Sequence, residues 1–215
     1  MTKTLSEEDR NRLNRSVAEA EKRSDCQIVL AVVRRSDNYT ELPWKAFSLG
    51  TAVAGLFILL ANSWFFQWAS QIMTLFIVAS ILTAGSLFAL LSIFWPKFAA
   101  CFLTVHRAET EVKQFAESLF LSRELFATKR RTGILVLISL FERQVILLPD
   151  SGLDALLNEE ARQAVIADMI PLLRRNRVAD ALETSVEKLV DRLGTGQAGS
   201  RDNELPDEII EEKGV

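Results

Sequence analysis

Two long apolar runs interrupt an otherwise charged chain, one from about Trp44 to Trp64 and one from Gln71 to Trp95. Between Ala46 and Pro96 no Lys, Arg, Asp or Glu occurs. Each run has about 20 residues or more, enough at ~1.5 Å per residue to cross a hydrocarbon core of ~30 Å. Lipid offers the backbone no hydrogen-bond partners, so both runs are predicted to be helices. The four tryptophans mark the run ends, Trp44 and Trp95 on one side and Trp64 and Trp68 on the other. Indoles favour the headgroup interface, which makes these four the expected membrane-interface residues. The pattern predicts a transmembrane hairpin over 44–96, with the lipid bilayer as its partner. Small residues four apart, Thr51 with Gly55 and Ser80 with Ala84, are expected to let its helices pack closely. A buried helical pair inside a soluble fold is disfavoured, because a domain of this size could hardly cover so long an uncharged stretch.

The flanks show other periods. Ser6 precedes an acidic first turn of Glu7, Glu8 and Asp9, the pattern of a capped helix start. Leu13, Val17 and Ala20 supply its apolar stripe, and the helix is expected to end near Ser24. Residues 26–33 form a β-rich apolar run, predicted as a strand buried on both faces. After the hairpin, the segment from Val105 to about Leu119 is amphipathic, with Val112, Phe115 and Leu119 on one face. Gly133 leads into a second buried strand, and a short link at Phe141, Glu142 and Arg143 returns the chain as a third strand over 144–149. So short a link demands antiparallel pairing. Two helices complete the pattern, one from an N-cap at Asn158 to Arg175 and one from Val178 to Leu193. Neither flank is large enough to fold well alone. The expected organisation is therefore one domain in two parts, 1–43 and 97–193, interrupted by the hairpin over 44–96. The acidic tail, 194–215, carries Leu205, Ile209 and Ile210 and is expected to dock through 205–210.

Composition narrows the function classes. Charged residues make up 25% of the chain but the net charge is only −3, which argues against a polyanion partner and against nucleic acid. Cys26 and Cys101 lack metal-ligand spacing and are expected as two buried thiols in a reducing compartment, without a disulfide. The first residues contain no apolar leader and no small-residue cleavage site, so the first span is expected to direct membrane insertion itself. Arg34, Arg35 and Lys45 precede the hairpin and Lys97 and Arg107 follow it, whereas the connecting loop has no positive charge. The positive-inside rule then places both termini in the cytoplasm. No ionisable residue lies within either span, so the hairpin reads as an anchor and not as an ion path.

Candidate chemistry is sparse. His106 is the only histidine, which excludes a His-based dyad or a multi-His metal site within one chain. Glu142 on the strand–strand link, Asp150 at the exit of the third strand and Asp154 four residues on are the candidate metal ligands. Carboxylates at strand ends suit Ca2+ or Mg2+. Turn chemistry explains Asp150, Ser151 and Gly152 equally well. No Gly-rich phosphate loop occurs in the flanks, so no cofactor-binding residue is expected. Two basic clusters, Lys129 to Arg131 and Arg174, Arg175 and Arg177, fit either contact with anionic headgroups or solvated helix ends.

The residues from Leu5 to Asp9, followed by 26–33, resemble the start of the TPM domain. Residues 131–152 resemble that family's second and third strands, and the last pair of helices fits as well. A bacterial membrane-embedded subset has a hydrophobic hairpin after the first strand and an Asn-Glu-Leu-Pro-like tail, as at Asn203 to Pro206 here. The resemblance covers about 5–33 and 105–193, plus the tail. It implies an α/β fold, a three-layer α/β/α Rossmann-like sandwich with a mixed sheet, here interrupted by the two-helix transmembrane hairpin. Phosphatase activity and divalent-metal binding are ascribed to some members. Secreted members often carry Asp-Asn-Gly or Asp-Asp-Gly before the second strand, where this chain has Arg131, Thr132 and Gly133, so the carboxylate expected of a metal site there is missing. The expected function is a membrane-anchored interaction or scaffold module at the cytoplasmic face of the inner membrane, with a protein partner or a further copy of itself. The alternative, by family analogy, is a divalent-metal-dependent phosphatase or hydrolase.

Overall fold

Ser6 and Asp9 close the first turn of helix α1 (Glu7–Ser24) reciprocally: the Asp9 N–H donates to Ser6 Oγ at 3.0 Å, and the Ser6 N–H to Asp9 Oδ2 at 3.3 Å. The computed structural model describes residues 5–24, 26–65, 71–194 and 209–212, with 64, 65 and 212 as backbone only. Two compact units emerge, Met1–Asp37 together with Glu109–Val215, and Asn38–Ala108.

The first unit is built on a four-stranded mixed sheet in the order β3-β2-β1-β4. Strand β1 (Gln27–Val33) pairs in parallel with β2 (Gly133–Ser139), residue for residue from Gln27 with Gly133 to Val33 with Ser139. Strand β3 (Gln144–Pro149) returns antiparallel to β2, as the short link requires. A fourth strand, β4 (Ile210–Glu212), comes from the tail and lies parallel to β1 beside Ala31 to Val33. Of the tail segment 205–210 considered above, Ile209 and Ile210 are buried, and 205–208 lie outside the described residues.

Strands β1 and β2 read as unbroken apolar runs because both of their faces are covered. Ile28, Leu30, Val32, Ile134, Val136 and Ile138 point to one side. There they pack with Leu13, Val17 and Ala20 of α1, Val165 and Met169 of α6 (Glu159–Arg174), and Leu182, Val186 and Leu189 of α7 (Val178–Leu193). Val29, Ala31, Val33, Leu135 and Leu137 point to the other, against Val112, Ala116, Leu119 and Phe120 of α5 (Val105–Ser122). The result is three layers, helix on sheet on helix. Each fully buried aliphatic side chain contributes about 1.5–3 kcal/mol, so this double-sided core is the main source of the unit's stability. Helix α6 starts at Asn158, whose side chain accepts the Ala161 N–H at 2.9 Å. Helices α1 and α7 are joined at their surface by Arg12, which reaches Asp180 at 3.0 Å.

The second unit is a helical hairpin. Helices α2 (Glu41–Phe65) and α3 (Gln71–Phe94) are both long and apolar enough to cross a membrane, and only 11% of each apolar window is buried. A core helix of a soluble protein would be mostly buried. Leu56, Phe57 and Leu59 on α2 and Leu75, Phe76 and Phe94 on α3 are exposed. The two helices meet at Gly50 and Gly85. A Cβ on Gly85 would stand 2.5 Å from Thr51 Cγ2, and one on Gly50 would stand 2.9 Å from Phe88. Thr51 and Ala84 therefore belong to the helix–helix seam. Gly55 and Ser80, expected there by spacing, do not close it: a Cβ on Gly55 meets nothing within 4 Å, and Ser80 is exposed with its hydroxyl on the Phe76 carbonyl. A short helix, α4 (Pro96–Ala100), begins at a proline in the first-turn position where the missing N–H costs nothing. Cys101 at its end is exposed, which corrects the expectation of two buried thiols; Cys26 is buried, and neither forms a disulfide.

Candidate functional site

The parallel strands β1 and β2 end together, and a buried polar cluster sits at that end. The chain leaves β1 through Arg34 and Arg35, whose direction is held by the Leu140 N–H donating to the Val33 carbonyl and the Phe141 N–H to that of Arg34, both at 3.0 Å. Ser36, two residues on, turns inward. Its N–H donates to Glu142 Oε1 at 2.8 Å, and its hydroxyl to Ser139 Oγ at 3.0 Å. Ser139, the last residue of β2, donates its own hydroxyl to Glu142 Oε2. All three residues are buried, Ser139 completely. Arg35 covers this end with its guanidinium 4.5 Å from the centre of the Phe141 ring.

This cluster resembles a catalytic serine–carboxylate pair only in composition. A nucleophile must be reached by its substrate, and Ser139 has no exposed surface. Both carboxylate oxygens of Glu142 already accept from protein donors. The arrangement is a closed fastener that satisfies a buried carboxylate, as burial requires. Sequence reasoning had singled out Glu142 but not Ser36 or Ser139. Two small hydroxyl residues in separate segments carry no local signal.

Asp150 lies at the opposite end of the sheet. Its neighbour Pro149 pairs with Ile134, whereas the turn bearing Glu142 follows Ser139. Six residues of strand separate the two carboxylates, about 20 Å at ~3.3 Å per residue, against ligand distances of about 2.3–2.6 Å for Ca2+. One ion therefore cannot use both. Asp150 Oδ1 accepts the Ser151 N–H at 2.7 Å and so caps the 3-10 turn Ser151–Leu153. Its Oδ2 is buried and accepts no hydrogen bond among the described residues. The cation beside it is Arg131, whose Nη1 lies 3.6 Å away and donates to the Phe126 carbonyl at 3.0 Å. The positive charge beside Asp150 is thus a guanidinium. Asp154 ends the 3-10 turn and is exposed. Glu142, Asp150 and Asp154 are not brought together. Among the described residues no group of three or more His, Cys, Asp or Glu side chains is arranged to hold a metal ion.

Trp44 and Trp95 are exposed at 71% and 57%. Trp64 is described as backbone only, and Trp68 lies outside the described residues. His106 is the second residue of α5 and is exposed. Within the basic clusters, Arg131 lies beside Asp150 and Arg177 meets Asp180 at 2.6 Å. The hydrogen bond from Arg177, with the charges of Arg177 and Arg12, holds the Asp180 carboxyl below the ordinary aspartate range.

Residues 97–192 match the family model of the TPM domain. The fold is similar to the NMR structure of the BA42 protein from the psychrophilic bacterium Bizionia argentinensis, with a TM-score of 0.53 and 11% sequence identity. That likeness covers 99% of this chain and 98% of the other. No curated protein matches the chain significantly.

Proposed function

Since residues 97–192 match the family model of the TPM domain, we propose that the chain is a membrane-anchored TPM-like protein. In this reading α2 and α3 span the inner membrane, both termini are cytoplasmic, and the domain serves as a docking or scaffold module for a protein partner.

The observation that carries the anchor is the surface of the hairpin. Large apolar side chains on both helices face outward along lengths that match a bilayer core, and no charged residue lies between Ala46 and Pro96. In water such a surface drives aggregation; in lipid it is solvated. Arg34, Arg35, Lys45, Lys97 and Arg107 on the flanks support cytoplasmic termini through the positive-inside rule. The docking role is supported by what the buried carboxylates do. Glu142 fastens two segments and Asp150 caps a turn beside a guanidinium, so both side chains are committed to the domain's own architecture.

The test is made on the full chain in its own membrane. The protein is expected to resist extraction by alkaline carbonate, and a C-terminal tag is expected to be cleaved only from the cytoplasmic side. Crosslinking from the TPM domain in that membrane is expected to capture a specific protein. Release by carbonate would overturn the anchor. Phosphate release from model phosphoesters that requires Mg2+ or Ca2+ and is lost in Asp150→Asn would replace the docking role with a hydrolase.

A further inference from the structure

Glu211, in the tail, holds the first turn of the chain. Its carboxylate accepts the Leu5 N–H at 2.8 Å and pairs with the Arg10 guanidinium. The strand that carries it, β4, lies parallel to β1 in register with Ala31 to Val33. Side chains alternate across a sheet, and here each alternate position has its own receptor. Ile209 enters the core shared with α1, α6 and α7, whereas Ile210 enters the core shared with α5. Glu211 reaches back toward α1 and Arg10. The edge of β1 therefore reads three consecutive positions of an extended segment: apolar, apolar, acidic.

The resident tail fills this seat incompletely. Glu211 engages Arg10 Nη2, and Arg10 Nε is buried without a hydrogen-bond partner among the described residues. A buried, unmet donor beside a carboxylate is a standing cost. A carboxylate that takes Nε and Nη2 together, the fork geometry that arginine favours, would meet this donor as well. The strand is also short. The burial of two isoleucines is set against the ordering of the segment that carries them, and these terms are of similar size. Strands β1 and β2, by contrast, are paired over seven residues inside the core. Strand β4, paired over three residues against seven for β1 with β2 and six for β2 with β3, is thus the least extensively paired strand of the sheet, the kind of element that opens first.

We infer that the outer edge of β1 is a strand-recognition seat, occupied at rest by the chain's own Ile209, Ile210 and Glu211. The segment that displaces them is an extended stretch of a protein partner with the same apolar, apolar, acidic order, run parallel to β1. Main-chain pairing supplies the affinity of such strand addition, and alternate side chains supply the specificity. The tail keeps the edge from indiscriminate pairing until that partner arrives. This names the partner class of the docking module and rests on that reading.

The probe is a fluorescent peptide with the sequence of residues 205–215, added to the full-length protein in detergent. Ile210→Asp unseats the chain's own tail and is expected to raise affinity for the peptide at least tenfold over wild type. Adding Arg10→Glu to that variant is expected to abolish the gain, as is Glu211→Lys in the peptide. Amide exchange at β2 and α7 reports whether the variant remains folded. A folded Ile210→Asp protein that does not bind the peptide, or binds it equally with Arg10→Glu, overturns the seat. If Ile210→Asp does not fold, excess peptide on the wild-type chain must accelerate amide exchange at Ile210 and Glu211, and no acceleration overturns it. A concentration-dependent wild-type dimer that Ile210→Asp dissolves would give the seat to the tail of a second copy and overturn a partner-directed role. Carbonate extraction and topology do not depend on Ile210, so loss of the seat and loss of the membrane anchor are read separately.

Discussion

The Ser36 N–H donates to Glu142 Oε1 at 2.8 Å, tying the exit of β1 to a turn 106 residues later in the chain. The bond crosses from the segment before the hairpin to the segment after it, at the point where the chain leaves the sheet. Replacing Glu142 by Ala strands a buried N–H and a buried hydroxyl, at about 1–3 kcal/mol for each such group. Glu142→Ala is therefore expected to lower stability by about 2 kcal/mol or more, read as a drop in thermal midpoint in detergent. Glu142→Gln keeps an acceptor for the Ser36 N–H and is expected to lose clearly less. Equal loss in both variants would mean that the carboxylate has no fastening role.

Arg131 compensates the buried Asp150 carboxylate, but its own side chain is 54% exposed, so solvent screens the pair. Arg131→Ala is expected to cost about 1 kcal/mol by removing the neighbouring charge. Pairing it with Asp150→Asn is expected to recover part of that loss, because no charge is then left uncompensated. Additive losses in the double variant, measured by the same melts, would show that the two groups do not interact.

The helix seam can be tested with two glycines that look alike in sequence. Gly85→Leu forces a side chain against Thr51 and Phe47 and is expected to cost about 1–3 kcal/mol as overpacking. Gly55→Ala has open space around it and is expected to be neutral or slightly stabilising, since alanine is the better helix former. The opposite ranking in detergent melts would place the seam on the wrong face.

Asp180 gives an acid-dependent term. Its folded pKa is lowered, first by the hydrogen bond from Arg177 and further by the charges of Arg177 and Arg12. A carboxyl lowered on folding stabilises the fold above its unfolded pKa, about 3.9. That contribution is lost as pH falls through the folded value. Asp180→Asn is expected to flatten stability against pH below about 4 while shifting it only modestly at pH 7. A wild-type and variant difference that stays constant down to pH 2 would remove the assignment.

How much of this was legible in the sequence depended on whether the signal was local. The cap at Ser6 and Asp9, the start of α6 at Asn158 and the antiparallel return at Glu142 are set by residues within a few positions of each other, and all stand where the pattern put them. The hairpin helices were equally plain, because their composition alone excludes most alternatives. The seam between them was not. Gly55 and Gly85 have the same local appearance, and only the crossing of α2 and α3 decides which one faces the partner. Strand β4 was hidden for a related reason. Three residues in an acidic tail have no period, and what makes them a strand is the edge of β1. The candidate metal ligands do not converge because strand ends look equivalent along a sequence, whereas Glu142 and Asp150 stand at opposite ends of one hairpin.

Strand β1 lies between β2 and β4, yet it is made before either of them. Gln27 pairs with Gly133, so a ribosome must add more than a hundred residues, the two apolar helices included, before the first partner strand exists. At about 5–20 residues per second, Ile28 to Val33 wait roughly 5–20 s with both strand edges unpaired and with the face that α5 later covers still open. During that interval the same apolar run is open to a chaperone, to the membrane surface or to another nascent chain. The order of synthesis thus sets a vulnerable window that the finished sheet conceals, and the yield of this protein should depend on what meets β1 first.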